Sequence, residues 1–67
     1  YFEAEKLLRR AVELMPDDPI VNDHYGDILW KLDRKIQARY FWINVLDMES
    51  AEDDMIEKVS IKIVKGL

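Results

Sequence analysis

The chain has 67 residues, no cysteine, a net charge of −4 and an isoelectric point near 4.8. That size allows one small domain with a marginal core. The absence of thiols removes disulfides and thiolate metal sites, and the acidic balance argues against nucleic-acid backbone, which needs a basic stripe. Hydrophobic residues at 49% beside charged residues at 36% fit an ordinary soluble helical protein, and no apolar run approaches the ~20 residues that cross a bilayer. The first residue is Tyr1 rather than Met, so the chain reads as a piece of something longer, from which a targeting segment can have been lost.

Gly and Pro occur twice each, so the breaks in the chain are few. From Tyr1 to Met15 the apolar residues Ala4, Leu7, Leu8, Ala11, Val12, Leu14 and Met15 recur at helical spacing, and Pro16 stops that helix. Asp17-Asp18-Pro19 reads as a stop followed by a start: Asp18 caps the next helix and Pro19 suits its first turn, where no amide partner is needed. This second helix runs to about Leu32, with Tyr25, Gly26, Ile28, Leu29 and Leu32 on its buried stripe. Asp33-Arg34 makes a tight turn, and Asp33 takes a left-handed conformation that Asp tolerates at some cost. The third helix covers roughly Lys35 to Met48. Ser50 then offers an N-cap for a fourth helix, with Asp53 three residues on. Glu52, Asp53 and Asp54 sit at that helix's positive end, Lys58, Lys62 and Lys65 lie toward its negative end, and Gly66 stops it.

The chain also repeats against itself at a spacing of 34 residues: Ala4, Leu8 and Ala11 return as Ala38, Trp42 and Val45, and Leu7, Val12 and Leu14 as Phe41, Leu46 and Met48. Between Pro19 and Glu52, Asn22, Tyr25, Gly26 and Leu29 are followed by Ala38, Trp42 and Val45. In this pattern the segment resembles a complete tetratricopeptide repeat, a helix-turn-helix unit of the same period. The residues before it, with Tyr1, Ala4, Leu8, Ala11 and Pro16 in register, resemble the second half of a preceding repeat. Ile56, Val59, Ser60 and Ile63 continue the phase into the first helix of a third. Departures are Asn22 where an aromatic is usual, Val45 where Ala is preferred, and Ser50 in place of a second terminal proline. The string NDHYGDILW, with Arg39-Tyr40-Phe41-Trp42, is similar to the closing repeat of bacterial, notably alphaproteobacterial, proteins of this family.

The resemblance implies an all-α fold of four antiparallel helices: residues 1–18 the second helix of one repeat, 19–52 a complete repeat, and 53–67 a C-terminal capping helix. It also implies a curved surface that holds another protein. On that inner surface the expected partner-binding residues are Asp23, Asp27, Trp30 and Lys31, joined by Asp54, Glu57 and Ile61 from the last helix. Trp30 is either a peptide anchor or a cover for the neighbouring helix. The acids either make a groove for basic or apolar peptides or form a solvated face. Ala4, Leu8 and Ala11 lack the helix that normally covers them, which makes them a self-association surface.

His24 between Asp23 and Asp27 is a lone His without a third ligand at useful spacing, and reads as an exposed side chain beside an acid. Lys6, Arg9 and Arg10 are compensated by Glu3, Glu5 and Glu13. With no nucleophile–base pair, phosphate loop or metal cluster, the residues point away from an enzyme and call for no cofactor. The leading expectation is a protein-binding module at the end of an array. The alternative is a structural cap or self-association element with no ligand of its own.

Overall fold

A computed structural model describes all residues, Tyr1–Leu67, as four helices and no strands: α1 Phe2–Leu14, α2 Pro19–Lys31, α3 Lys35–Leu46 and α4 Asp53–Lys65. The protein is all-α. Each helix packs chiefly against its neighbours in sequence, so the chain forms successive antiparallel hairpins within a slab of 30 × 27 × 15 Å.

The turns follow from local chemistry. Asp18 adopts extended backbone ahead of α2, and its carboxylate accepts from the amides of Ile20 at 2.9 Å and Val21 at 3.1 Å. Two donors left free at the helix start are thereby satisfied, and Pro19 occupies the first turn. At the other end of α2, Asp33 has φ 62, the left-handed conformation its position in the turn requires. The Arg34 amide then reaches back to the Leu29 carbonyl at 2.9 Å and the Asp33 amide to that of Trp30 at 3.0 Å, closing the helix as a Schellman motif. Asn22, the polar residue at a position where an aromatic is usual, is buried. Its amide nitrogen donates to the carbonyls of Pro16 at 3.1 Å and Asp18 at 2.8 Å, stitching the α1–α2 turn to α2.

The fourth helix starts differently from expectation. Ser50 does not cap it. The Ala51 amide bonds back to Met48 in a turn, Glu52 takes the N-cap position in extended backbone without a side-chain bond, and the helix begins at Asp53. The carboxylate of Asp54 takes the amide of Met55 instead. Gly66, at φ 77, ends the helix.

The core is Tyr25, Leu29, Ala38, Trp42, Val45 and Val59, with Leu8, Val12, Trp30, Phe41, Met55 and Ile63 packed around it. Trp42 is fully buried, and its indole lies where a side chain at position 26 would be: a Cβ on Gly26 would stand 2.4 Å from Trp42 Nε1 and 2.5 Å from Cδ1. Helices α2 and α3 therefore approach closely because Gly26 has no side chain. The Tyr25 ring meets the edge of Phe41 at 4.7 Å, and Val59 carries the core into α4.

At an exposed mid-helix site Gly→Ala gains about 1 kcal/mol. Here Gly26→Ala is expected to lose ~1–3 kcal/mol through overpacking against Trp42. Chemical denaturation followed by circular dichroism measures the difference. A gain in stability would show that Trp42 does not fill the space beside Gly26.

Candidate functional site

Helices α2 and α4 lie side by side across α3, and their facing sides enclose a groove of about 300 Å³. One wall is the start of α2, with Pro19, Ile20 and Asp23. The other is the entry to α4 and one face of that helix, with Ser50, Glu52, Asp54, Met55, Lys58 and Lys62. On α4, Asp54, Lys58 and Lys62 are spaced one turn apart and so share a face. Ile20 is half exposed at 53%, and with Met55 it gives the groove an apolar patch between charges.

The inner end of the groove is closed by an ion-pair network. Lys62 Nζ donates to Asp23 Oδ1 at 2.8 Å and to Asp27 Oδ1 and Oδ2 at 3.0 and 3.2 Å. Asp27 Oδ1 also accepts from Trp42 Nε1 at 3.1 Å, which joins the core to the network. Burial acts to lower the pKa of Lys62, but the hydrogen bonds and charges of Asp23 and Asp27 outweigh it and hold the ammonium above the ordinary lysine value. Asp23 and Asp27 were expected as free acids on an open patch. They are half-buried and committed to Lys62.

Trp30 also departs from the expected exposed anchor. It is half-buried and stacked on Trp42 with centroids 5.6 Å apart. Lys35 Nζ lies 5.1 Å and the Arg39 guanidinium 4.9 Å from its ring centroid. Gly66 abuts the six-membered ring so closely that a Cβ there would stand 2.1 Å from Trp30 Cζ2. Arg39 Nε donates to the Ile63 carbonyl at 3.0 Å, so one guanidinium holds both the end of α4 and the indole. Trp30 is thus the seat of the α4 terminus.

The remaining expected residues divide. Asp54 lines the groove. Lys31 is turned toward α1, with Nζ 5.4 Å from the Tyr1 ring centroid. Glu57 and Ile61 are exposed on the side of α4 away from Val59 and do not line the groove. The seven residues therefore do not form one patch. Ile20, Glu52, Met55, Lys58 and Lys62 are groove residues that the sequence did not single out as binding residues. The available signal was a matched pair of turn spacings, Asp23/Asp27 on one helix and Lys58/Lys62 on another.

The α1 residues expected to lie uncovered are partly covered within the chain. Ala4, Leu8 and Ala11 are half-buried, because α2 covers the side of α1 centred on Glu5, Leu8 and Val12. The most exposed apolar side chains of α1 are Phe2, Leu7 and Leu14. Glu5 itself is buried and accepts from the Tyr25 hydroxyl at 2.9 Å, and Arg9 and Arg34 approach the same carboxylate oxygen at 3.7 and 3.9 Å. Burial, then the bond and the charge of Glu5, raise the pKa of Tyr25 above its ordinary value.

No known family, curated protein or solved structure matches this chain. None of the four helices is long and apolar enough to cross a membrane.

Removing the cation by Lys62→Met leaves two half-buried carboxylates facing each other. The expected loss near neutral pH is ~1–3 kcal/mol, between the values for exposed and fully buried pairs. Because the folded-state pKa of Lys62 is raised, its contribution is complete below the ordinary lysine value of about 10.5 and is lost as pH rises through the folded value. Tyr25 has the same sign, starting from 10.0. Stability should therefore fall at alkaline pH in the wild type and fall less steeply in Lys62→Met, as read by urea midpoints across pH. Parallel curves for the two proteins would show that Lys62 is not coupled to Asp23 and Asp27.

Proposed function

We propose that the chain is the end of a tetratricopeptide-type array and that it binds a protein partner as an extended peptide in the groove between α2 and α4. The observation that carries this reading is the groove's mixture of surfaces. Ile20 and Met55 offer apolar surface from opposite walls, and neither Glu52 nor Asp54 is engaged in an ion pair. A peptide placing an apolar side chain on Ile20 and Met55 and a Lys or Arg beside Glu52 and Asp54 meets both. Lys58 stands at the same wall without an acidic partner and would favour a peptide that follows its basic residue with an acidic or polar one. The role is recognition without catalysis and without a cofactor.

The Lys62 network supports this reading through rigidity. It fixes α4 against α2, so the groove is formed before a ligand arrives and little ordering cost accompanies binding. A second reading, a structural cap or self-association element, draws on the apolar side chains exposed at both ends of the slab: Phe2, Leu7 and Leu14 on α1, and Ile61, Val64 and Leu67 at the other end.

Titration with a library of short peptides, followed by NMR shift mapping, separates the two. A basic–apolar peptide should move the resonances of Ile20, Asp54 and Met55 first. Asp54→Lys should weaken that peptide about tenfold, the cost of roughly 1.4 kcal/mol expected when attraction is replaced by repulsion at a partly exposed site. Shifts confined to α1 or α3, or no binding by any peptide of the library, would overturn the groove reading.

A further inference from the structure

Helix α3 is apolar on two sides. Ala38, Trp42 and Val45 face the core, and Ile36, Tyr40 and Ile43 form a second stripe on the opposite side. The stripe residues are 87%, 60% and 47% exposed and follow the spacing of one helical face. A helix apolar all round belongs between two layers, and here only one layer is present.

The charges on α3 are also the reverse of what a lone helix favours. Arg34 and Lys35 stand at its N-terminal end, and Asp47 and Glu49 at and beyond its C-terminal end, against the helix dipole. Helix α4 has the favourable order, with Asp53 and Asp54 first and Lys62 and Lys65 last. Neither Asp47 nor Glu49 is ion-paired within the chain. The acids at the α3 terminus line a depression with Asp17 that holds no basic residue, and Arg34 and Lys35 line another at the opposite end of the same helix, where exposed Asp33 pairs with Lys35 at 3.8 Å and Glu5 with Arg34 at 3.9 Å.

We propose that the outward face of α3 is an interface with a second copy of this chain, in which the two α3 helices pack antiparallel about a two-fold axis near Tyr40. That arrangement is self-complementary, as a two-fold interface must be. Ile36 of one copy lies beside Ile43 of the other, and the Arg34–Lys35 end faces the Asp47–Glu49 end of the second copy, at both ends of the pair. The two helix dipoles oppose, and each acidic end gains a helix N-terminus. A parallel pair would instead set like charges together at both ends. The contact is one 12-residue helix, about 18 Å long. It falls short of the roughly 800 Å² per partner of a stable interface, so the dimer is weak, dissociating at micromolar concentrations and below and forming as the concentration rises toward millimolar. This face is separate from the α2–α4 groove, and the inference does not rest on peptide binding.

Sedimentation equilibrium of the 67-residue chain across concentration should give a monomer–dimer equilibrium. Ile36→Glu and Ile43→Glu, both at exposed positions, should each weaken it at least tenfold with an unchanged helical circular dichroism spectrum. Leu7→Glu on α1 and Asp54→Lys in the groove should leave it unaltered. The chain has no cysteine, so orientation can be read by single-cysteine cross-linking. Tyr40→Cys should form a disulfide-linked dimer readily and Ile36→Cys poorly. A strictly monomeric wild type at millimolar concentration overturns the proposal, as does association abolished by Leu7→Glu but not by Ile36→Glu. Cross-linking of Ile36→Cys in preference to Tyr40→Cys overturns the antiparallel arrangement.

Discussion

The structure depends on one steric relation: the Trp42 indole occupies the space that any side chain at position 26 would need. Because α2 presents hydrogen where α3 presents the largest side chain in the protein, the two helices close on each other. Trp42 is then excluded from water and can orient its ring nitrogen toward Asp27. That bond reaches the surface network in one step, since the same carboxylate oxygen holds Lys62. Core packing and the placement of α4 are therefore coupled through two aspartates, Asp27 by its carboxylate and Asp23 by its carbonyl and carboxylate. The indole N–H is shared between Asp27 Oδ1 at 3.1 Å and the Asp23 carbonyl at 3.3 Å, so Asp27 serves the core as well as the Lys62 network.

Helix α4 is held at two points of different character. At the start of its last turn the hold is electrostatic, through Lys62 on Asp23 and Asp27. At its C-terminal end it is a matter of shape and polarisability, with Gly66 against the Trp30 face and Arg39 bridging that face to the Ile63 carbonyl. Between these and the loop lies the open stretch of the groove. The part of α4 that is free to meet a ligand is the part that neither hold occupies.

Much of this was legible in the sequence, for physical reasons that differ by element. The α2 boundaries were readable because Asp18-Pro19 and Asp33 solve backbone problems with their own side chains or conformations, and the structure uses them so. Gly26, Ala38 and Trp42 were readable because the 34-residue periodicity marks where small and large residues must meet. Ser50 misled because capping depends on where the chain leaves the preceding turn, and the Met48–Ala51 turn delays the helix to Asp53. The binding residues were the least legible. Exposure was inferred for Asp23 and Asp27 from their own helix alone, and the cation that occupies them comes from 35 or more residues away. Glu5 pairs with Arg9 one turn away, as its spacing suggests, but its bond from the Tyr25 hydroxyl was not legible because that group is on another helix.

The stacking of Trp30 on Trp42, at 5.6 Å and an interplanar angle of 29°, has an optical consequence. These are the only two tryptophans in the chain, one on α2 and one on α3. At that separation their excited states couple, so the pair absorbs and rotates polarised light as one chromophore rather than two. The coupling falls steeply with distance and vanishes when the rings part. The chain thus carries an intrinsic spectroscopic ruler across its central hairpin, sensitive to opening of α2 from α3 even where helical content stays the same.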